Sequence, residues 1–167
     1  VSKNELGTPK VILSRKRPEL VTAIFAENVP EIWEEIISID NIVRQPWVKT
    51  KLLVSTTFDE IDPVWTLIWQ KGIRVKWVMD ELSGEKIDII ANRWDIWDIL
   101  KKSLSPAEVL KVDVDEENES AICYILPTER AKAVWKNWLN VNLASKLTWY
   151  RISIEDIEVD EEKNQEK

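Results

Sequence analysis

The sequence contains no histidine and only one cysteine, Cys123. Without histidine, no Ser-His or Cys-His nucleophile pair can be built. A single cysteine excludes an internal disulfide framework and suits a reducing compartment, so we expect a cytoplasmic protein. No P-loop or zinc-ligand pattern is present. These absences predict a protein without catalytic residues, metal or cofactor, in which Cys123, beside the apolar Ile122 and Ile125, is a buried and inert thiol.

Long apolar runs are also absent. None approaches the roughly 18–20 residues of a membrane span. No basic segment followed by an apolar one marks a secretory signal, so we expect no membrane partner. The chain begins at Val1 rather than at methionine, which predicts a fragment of a longer protein. The hydrophobic content of 44% is sufficient for packed globular cores.

The net charge of −7 at first disfavours a nucleic-acid partner, but the charge is unevenly distributed. Residues 155–167 carry a net charge of −5 and the rest of the chain only −2. We expect residues 157–167 to be an acidic, disordered tail. Basic clusters remain at residues 15–17 and 71–76. Phosphate binding depends on such local placement more than on total charge.

Glycine is scarce and tryptophan is abundant, at 3 and 10 of 167 residues. Glycine averages about 7% of residues, and in this chain the two types together reach about that share. The turn at residues 45–48 shows the same substitution locally. With Pro46 in second place, this turn needs glycine in third place because φ is positive there, yet Trp47 occupies it. The tryptophans therefore stand where glycines are expected.

Hydrophobic periodicity and turn residues predict a unit with the element order α-β-β-α-α-β. Pro18 opens its first helix, and Ser83-Gly84 ends its last one. The predicted elements are strands at 10–15, 35–43, 49–56 and 86–90, a helix–turn–helix at 62–82, and a helical connector at 91–108.

The pattern then restarts. The predicted elements are strands at 109–115, 121–126 and 150–154 and helices at 128–134 and 139–147. Each helix pair is joined by a four-residue turn, Trp69-Gln70-Lys71-Gly72 in the first copy and Trp135-Lys136-Asn137-Trp138 in the second. The spacing of 66 residues indicates an internal repeat. The sequence thus predicts an α+β fold with two units, each a small three-stranded sheet covered by helices.

Both turns resemble the GxxG loop of KH domains, whose backbone clamps single-stranded nucleic acid. Longer segments extend the resemblance: Lys10–Arg15 (KVILSR), Asp80–Ile89 (DELSGEKIDI) and Leu104–Leu110 (LSPAEVL). In this order they resemble the tandem KH region of the NusA family of bacterial transcription factors, across nearly all of residues 10–156. The resemblance implies the following boundaries: the end of an OB-type RNA-binding domain at 1–15, KH units at 16–90 and 104–156, and a connector at 91–103.

The resemblance also implies a function. It predicts binding of single-stranded RNA, the nascent transcript, in the control of elongation, pausing, termination and antitermination. RNA polymerase would be contacted through the wider protein, and we expect a monomer without catalytic activity. The predicted RNA contacts lie in and just after the two turns: Trp69, Gln70, Lys71, Gly72, Arg74, Lys76, Trp135, Lys136, Asn137, Trp138 and Asn140. The alternative is a KH-like protein-interaction module that docks RNA polymerase or another factor without binding RNA.

The departures from the family pattern concern glycine. Six tryptophans fall at family glycine positions: Trp47, Trp65, Trp69, Trp135, Trp138 and Trp149. The other four fall at positions less fixed in the family: Trp33, Trp77, Trp94 and Trp97. They can be genuine core or surface aromatics, base-stacking platforms, or misread glycine codons, since some bacterial lineages decode UGA as glycine. We favour misreading, because tryptophan in the turn would block the close backbone approach that glycine allows.

Overall fold

The computed structural model describes residues 2–3, 9–10, 13–92 and 95–157. Its helices and strands, in chain order, are β1 (Ser2–Lys3), β2 (Pro9–Lys10), α1 (Glu19–Asn28), α2 (Pro30–Trp33), β3 (Ile37–Gln45), β4 (Lys49–Thr56), α3 (Pro63–Ile68), α4 (Ile73–Glu81), β5 (Lys86–Ala91), α5 (Ile96–Ser103), β6 (Val109–Asp115), β7 (Ser120–Ile125), α6 (Arg130–Val134), α7 (Leu139–Thr148) and β8 (Arg151–Asp156). The repeated α-β-β-α-α-β order is therefore confirmed.

The two larger sheets share one topology. In each, an antiparallel hairpin is extended by a parallel strand, giving the orders β3-β4-β5 and β6-β7-β8. Parallel neighbours need a crossover connection, and the helix–loop–helix segments α3–α4 and α6–α7 supply it. The same supersecondary unit thus occurs twice, as the internal repeat predicts.

Local sequence signals explain where the helices begin. The Asp62 carboxylate accepts a hydrogen bond from the Trp65 amide at 2.9 Å and caps α3, whose first position is Pro63. Asp95 caps α5 in the same way. Gly84 has a φ of +82° and donates to the Met79 carbonyl at 2.8 Å, so α4 ends where the Ser83-Gly84 signal predicts.

Each unit has its own apolar core. In the first, α1 and α4 pack on one face of the sheet around the fully buried Phe25, Leu52 and Leu67. In the second, Cys123 lies in the core with Ile125 and Ala144. Burial raises the pKa of the Cys123 thiol to about 12, which confirms a buried thiol that stays protonated at neutral pH.

A third apolar cluster joins the units. Helices α5 and α7 pack on the face of the first sheet opposite to α1 and α4, and the buried members of this cluster are Leu53, Ile90, Ile99 and Leu147. The Asn41 amide donates to the Leu147 carbonyl at 2.7 Å across the same contact. We call this contact between the first sheet and the second unit the seam. It fixes the two units against each other by side-chain packing as well as by the connector.

The strand predicted at residues 10–15 differs from the structure. Lys10 belongs to the short β2, whereas Leu13 to Arg15 form no strand. Residues 11 and 12 lie outside the described residues. So do most of residues 1–15, assigned to an OB-type domain, and residues 158–167 of the acidic tail. Strand β3 also begins later than predicted, because α2 precedes it and Glu35 turns the chain at a φ of +57°.

The tryptophans lie at unusual backbone positions. Five of the nine described ones have φ between +32° and +64°: Trp47, Trp69, Trp135, Trp138 and Trp149. All five belong to the six that replace family glycines; the sixth, Trp65, lies in α3. Trp69, with φ 57° and ψ −179°, lies in a region that is essentially restricted to glycine. None of the nine side chains is buried. Bulky residues at positive φ and in solvent are what misread glycines would produce.

This backbone pattern leads to a prediction about the gene. We expect UGA codons at all ten tryptophan positions and nowhere else in this span. Protein purified from the native cell would then contain no tryptophan, so its near-ultraviolet absorbance would come from Tyr124 and Tyr150 alone. Its intact mass would be lower by ten Trp-to-Gly differences. Sequencing the gene and weighing the native protein test the prediction, and UGG codons at these positions would contradict it.

Candidate nucleic-acid interface

The first loop, residues 69–72, joins α3 to α4 in one tight turn. Trp69 and Lys71 have positive φ, and the turn closes where the Gly72 amide donates to the Trp69 carbonyl at 3.0 Å. Gly72 is in the left-handed conformation and directly precedes α4. Lys71 and Gln70 are exposed at the tip, where they can meet a ligand.

The second loop, residues 135–138, joins α6 to α7 and has more residues at positive φ than the first loop. All four residues have positive φ, from +32° at Trp135 to +64° at Trp138. Trp138 takes the left-handed conformation before α7 that Gly72 takes before α4. Lys136 and Asn137 are exposed at the tip. The two loops therefore correspond in sequence position and in the left-handed residue before the next helix, whereas their second residues differ, since Gln70 lacks the positive φ of Lys136.

The helices after the loops begin without a side-chain cap. Neither α4 nor α7 has a capping side chain or an acidic residue in its first turn. The helices α1, α2 and α6 also lack a capping side chain, whereas α3 and α5 are each capped by an aspartate. The first amides of a helix have no intrahelical acceptor and carry a partial positive charge. Such an N-terminus favours a phosphate. Both loops thus present a backbone that is suited to an anionic ligand.

The basic side chains around the first loop have different roles. Lys71 and Lys76 are exposed. Arg74 instead pairs with Glu31 at 3.1 Å, donates to the Thr66 carbonyl at 2.9 Å, and lies 4.5 Å from the Trp69 ring. Arg74 therefore holds the loop and its flanking helices together, and the Glu31 carboxylate offsets much of its charge.

Asn140 differs from the other predicted contact residues in being buried. Its side chain is fully buried, and its amide donates to the Leu104 carbonyl at 2.9 Å. Asn140 connects α7 to the end of α5, so its role is to position the helix after the second loop. Sequence position alone did not reveal this, because the partner lies 36 residues away.

Two lysines of the first unit approach the second loop, although no sequence signal pointed to them. The Lys49 and Lys86 ammonium groups lie 5.4 and 5.7 Å from the Trp135 ring, and Lys136 lies at 5.3 Å. Lys49 and Lys86 are register partners on β4 and β5. The positive charge at the second loop therefore comes from both units.

A buried ion pair fixes the turn of the first hairpin. Arg44 donates twice to Glu85, at 2.8 and 2.9 Å, and both side chains are at most 1% exposed. The Trp47 amide and the Thr50 hydroxyl also donate to Glu85. Burial by itself would raise the pKa of Glu85, but the hydrogen bonds from Arg44, Thr50 and Trp47 outweigh it and hold the pKa below its usual value. This network anchors the start of β5 next to Lys86.

Other chemistry has little support in the described part of the chain. There, no group of three potential metal ligands comes together. No helix among the same residues is long and apolar enough to cross a membrane. The site that the structure does present is the pair of loops with their uncapped helices.

Two parallel-extended sheets, each crossed by a helix–loop–helix with a positive-φ loop, define a tandem KH protein. Comparison with known families agrees: residues 15–92 match the NusA-like first KH domain and residues 97–163 match the NusA-like second KH domain. The chain therefore belongs to the family of NusA-like tandem KH domains.

Individual relatives agree with this assignment. The chain is 39% identical over 146 residues to the transcription termination/antitermination protein NusA of Borreliella burgdorferi. The aligned segment is 87% of this chain and 30% of that protein. It is 35% identical over 159 residues to the NusA of Thermus thermophilus, covering 95% and 41% respectively. The chain thus spans well under half the length of these relatives. The crystal structure of APE1850 has the same fold, with a TM-score of 0.56 at 18% identity, over 83% of this chain and 97% of that one.

Proposed function

We propose that this chain binds single-stranded RNA through its two loops, as part of a NusA-like factor that controls transcription elongation, termination and antitermination. The observation that carries the proposal is the repeated loop. In both units, residues at positive φ lead directly into a helix whose first turn has neither a cap nor an acidic residue. KH loops of this kind clamp the backbone of about four nucleotides.

In the proposed complex, phosphates lie against residues 69–72 and 135–138 and against the first turns of α4 and α7. Lys71, Lys76 and Lys136 add charge from the surface, and Gln70 and Asn137 offer polar side chains at the loop tips. Arg74 and Asn140 act by holding the loops in place. The role is binding without catalysis, and we propose the cytoplasm as its location.

The names of the relatives support the transcriptional part of the proposal. They are termination/antitermination proteins, and the KH pair makes up less than half of their length. We propose that contact with RNA polymerase is made through the wider protein, and that the KH pair is a monomer with units at residues 16–90 and 104–156. Residues 91–103 would be the connector that contains α5.

RNA binding should depend on glycine in the loops. A variant with glycine at positions 69, 135 and 138 is expected to bind a single-stranded RNA of about ten to twelve nucleotides at least about tenfold more tightly than the present chain. The reason is that an indole at the first or last loop position keeps the phosphate away from the backbone. Fluorescence anisotropy at several salt concentrations measures it, and binding should weaken with salt because phosphate contacts release counterions.

The matched control carries glycine at positions 33, 77 and 97. These tryptophans lie in helices α2, α4 and α5, so the same chemical change leaves the loops untouched. We expect no gain in RNA affinity from it. If the loop variant shows no salt-dependent RNA binding at low salt, the RNA proposal fails and the protein-interaction module becomes the better interpretation.

A further inference from the structure

Asn137 at the tip of the second loop has an unusual sequence neighbour. The residue that follows it, Trp138, lies at a family glycine position and has a φ of +64°, in the left-handed region that favours glycine. With glycine at position 138, Asn137 is the only asparagine of the sequence that directly precedes glycine. The first loop offers no counterpart, because Gln70 and Lys71 occupy its tip.

The Asn137 side chain and the next backbone amide are both unoccupied. Asn137 is exposed, and in the described part of the chain no hydrogen bond involves its side chain or the amide of Trp138. In the first loop, by contrast, the corresponding amide of Gly72 donates to the Trp69 carbonyl at 3.0 Å. The second loop therefore leaves free the two groups that an asparagine needs in order to react with its own backbone.

The position of this amide at the start of α7 favours the reaction. The backbone nitrogen has to lose its proton before it can attack a carbonyl carbon. The first amides of a helix carry a partial positive charge, which stabilises the deprotonated nitrogen. No acidic side chain in the first turn of α7 opposes this effect. An exposed lysine, Lys136, adds positive charge on the other side of Asn137.

We propose that Asn137 is a deamidation site of the second loop when glycine follows it. The backbone nitrogen of residue 138 loses its proton and forms a bond to Cγ of Asn137, while the bond from Cγ to Nδ2 breaks and Nδ2 leaves as ammonia with that proton. Water then opens the resulting succinimide ring. Opening at Cγ gives aspartate, opening at the main-chain carbonyl gives isoaspartate, and either product carries a new carboxylate. Tryptophan at position 138 hinders ring closure through its Cβ and indole.

The new carboxylate would lie where the second loop meets a phosphate, which is the part of the inference that rests on the proposed function. Like charges at this distance repel, so the modified loop should lose RNA affinity. A bound phosphate should in turn slow the reaction, because it occupies the amides at the start of α7. Deamidation would thus inactivate the second loop selectively in protein that is not bound to RNA.

The chemical part is tested on the full chain with Trp138→Gly and on the present chain, both incubated without RNA. Peptide mass spectrometry with fragmentation locates each deamidated residue. Deamidation at Asn137 should be at least about tenfold faster in Trp138→Gly, because glycine removes the steric hindrance to ring closure. The rate should rise with pH, since the nucleophile is a deprotonated amide. Equal rates in the two proteins would overturn the proposal.

Internal controls are present in the same chain. Asn140 and Asn142 precede side chains with a Cβ, and the exposed Asn118 is held by the Asp115 carboxylate, to which its side-chain amide donates at 2.8 Å. All three should stay intact while Asn137 reacts. Asn137→Gln should also stay intact, because glutamine has to close a larger ring. Deamidation of Asn118 at the rate of Asn137 would show a general ageing of exposed asparagines and would overturn the assigned site.

The effect on RNA is tested with Asn137→Asp in the variant that has glycine at positions 69, 135 and 138. We expect RNA affinity to fall about five- to tenfold at low salt, as repulsion between two nearby charges predicts. The matched control is Asn118→Asp, which adds the same charge in the turn between β6 and β7. That turn is bonded to the start of β8, beyond the C-terminal end of α7, so RNA affinity should not change. Saturating RNA should slow deamidation at Asn137.

The outcomes separate this inference from the proposed function. If the parent variant binds RNA with the expected salt dependence but Asn137→Asp weakens it no more than Asn118→Asp, the inactivation of the loop is overturned and the proposed function stands. If the parent variant binds no RNA, the proposed function fails together with the inactivation. Mass spectrometry without RNA decides the deamidation site itself in either case.

Discussion

A variant with glycine at positions 47, 69, 135, 138 and 149 is expected to have a free energy of unfolding about 5 kcal/mol or more above that of the present chain. At these five positions tryptophan is held at φ between +32° and +64°. Each bulky residue in that region costs about 1–3 kcal/mol. Five such costs together are comparable to the whole stability of a domain, roughly 5–15 kcal/mol. Urea unfolding followed by circular dichroism measures the difference.

The same replacement in a helix should act in the opposite direction. Trp77 is half exposed in α4 and has helical backbone angles, so Trp77→Gly is expected to lower the free energy of unfolding by about 0.5–1 kcal/mol. Opposite signs at the two kinds of position would identify backbone conformation as the cause. If both variants gain stability, removal of exposed indole would explain the result, and backbone strain at positive φ would not be its cause.

Glu85→Gln is expected to lower the free energy of unfolding by about 3–5 kcal/mol. The substitution leaves the Arg44 guanidinium buried without a counter-charge, and breaking a buried pair from one side is strongly destabilising. It also weakens the hold on the Trp47 amide and the Thr50 hydroxyl. The matched control is Glu117→Gln, in the exposed turn between β6 and β7, which should change stability by less than about 0.5 kcal/mol. A loss as small as that of the control would show that the network contributes little.

The Glu85 network also has a predictable pH dependence. The pKa of Glu85 is lower in the folded protein than in the unfolded chain. Its contribution to stability is therefore fully present above the ordinary carboxyl pKa and is lost as the pH falls through the lowered folded-state value. Unfolding free energies measured from neutral pH into the acid range should fall less steeply in Glu85→Gln than in the parent chain. A parallel pH profile for the two proteins would contradict the assigned role of Glu85.

Much of the fold could be predicted from sequence because it depends on short-range signals. The strand at residues 49–56 was predicted with the boundaries that the structure has, since its apolar run and bounding turns are unambiguous. The strand predicted at residues 10–15 failed at residues 13–15, which form none, and Leu13 is 92% exposed. A short apolar run therefore specified neither burial nor a hydrogen-bonded partner, since both have to come from other parts of the chain.

The candidate site was likewise only partly predictable from the sequence. The two loops were located by their repeat. Positive φ was expected at Trp69, Trp135 and Trp138 because the family pattern has glycine at these positions. The roles of single side chains did not follow. Arg74 is paired with Glu31, and Asn140 is buried under the end of α5, through contacts that span 43 and 36 residues. Sequence spacing along one helix contains no information about such partners.

The segment Gly84 to Ile89 illustrates which features the sequence predicts and which depend on the tertiary structure. As a sequence, GEKIDI identified the family and placed the end of a helix and the start of a strand, because glycine at positive φ and alternating apolar residues are local signals. Only the tertiary structure decided that Glu85 is buried against Arg44, that Lys86 lies beside the second loop, and that Asp88 pairs with two buried lysines. The physical reason is register. Parallel pairing of β4 with β5 and packing of the second unit on that sheet bring distant charges together, and their energies depend on burial and distance, which the order of residues along the chain does not specify.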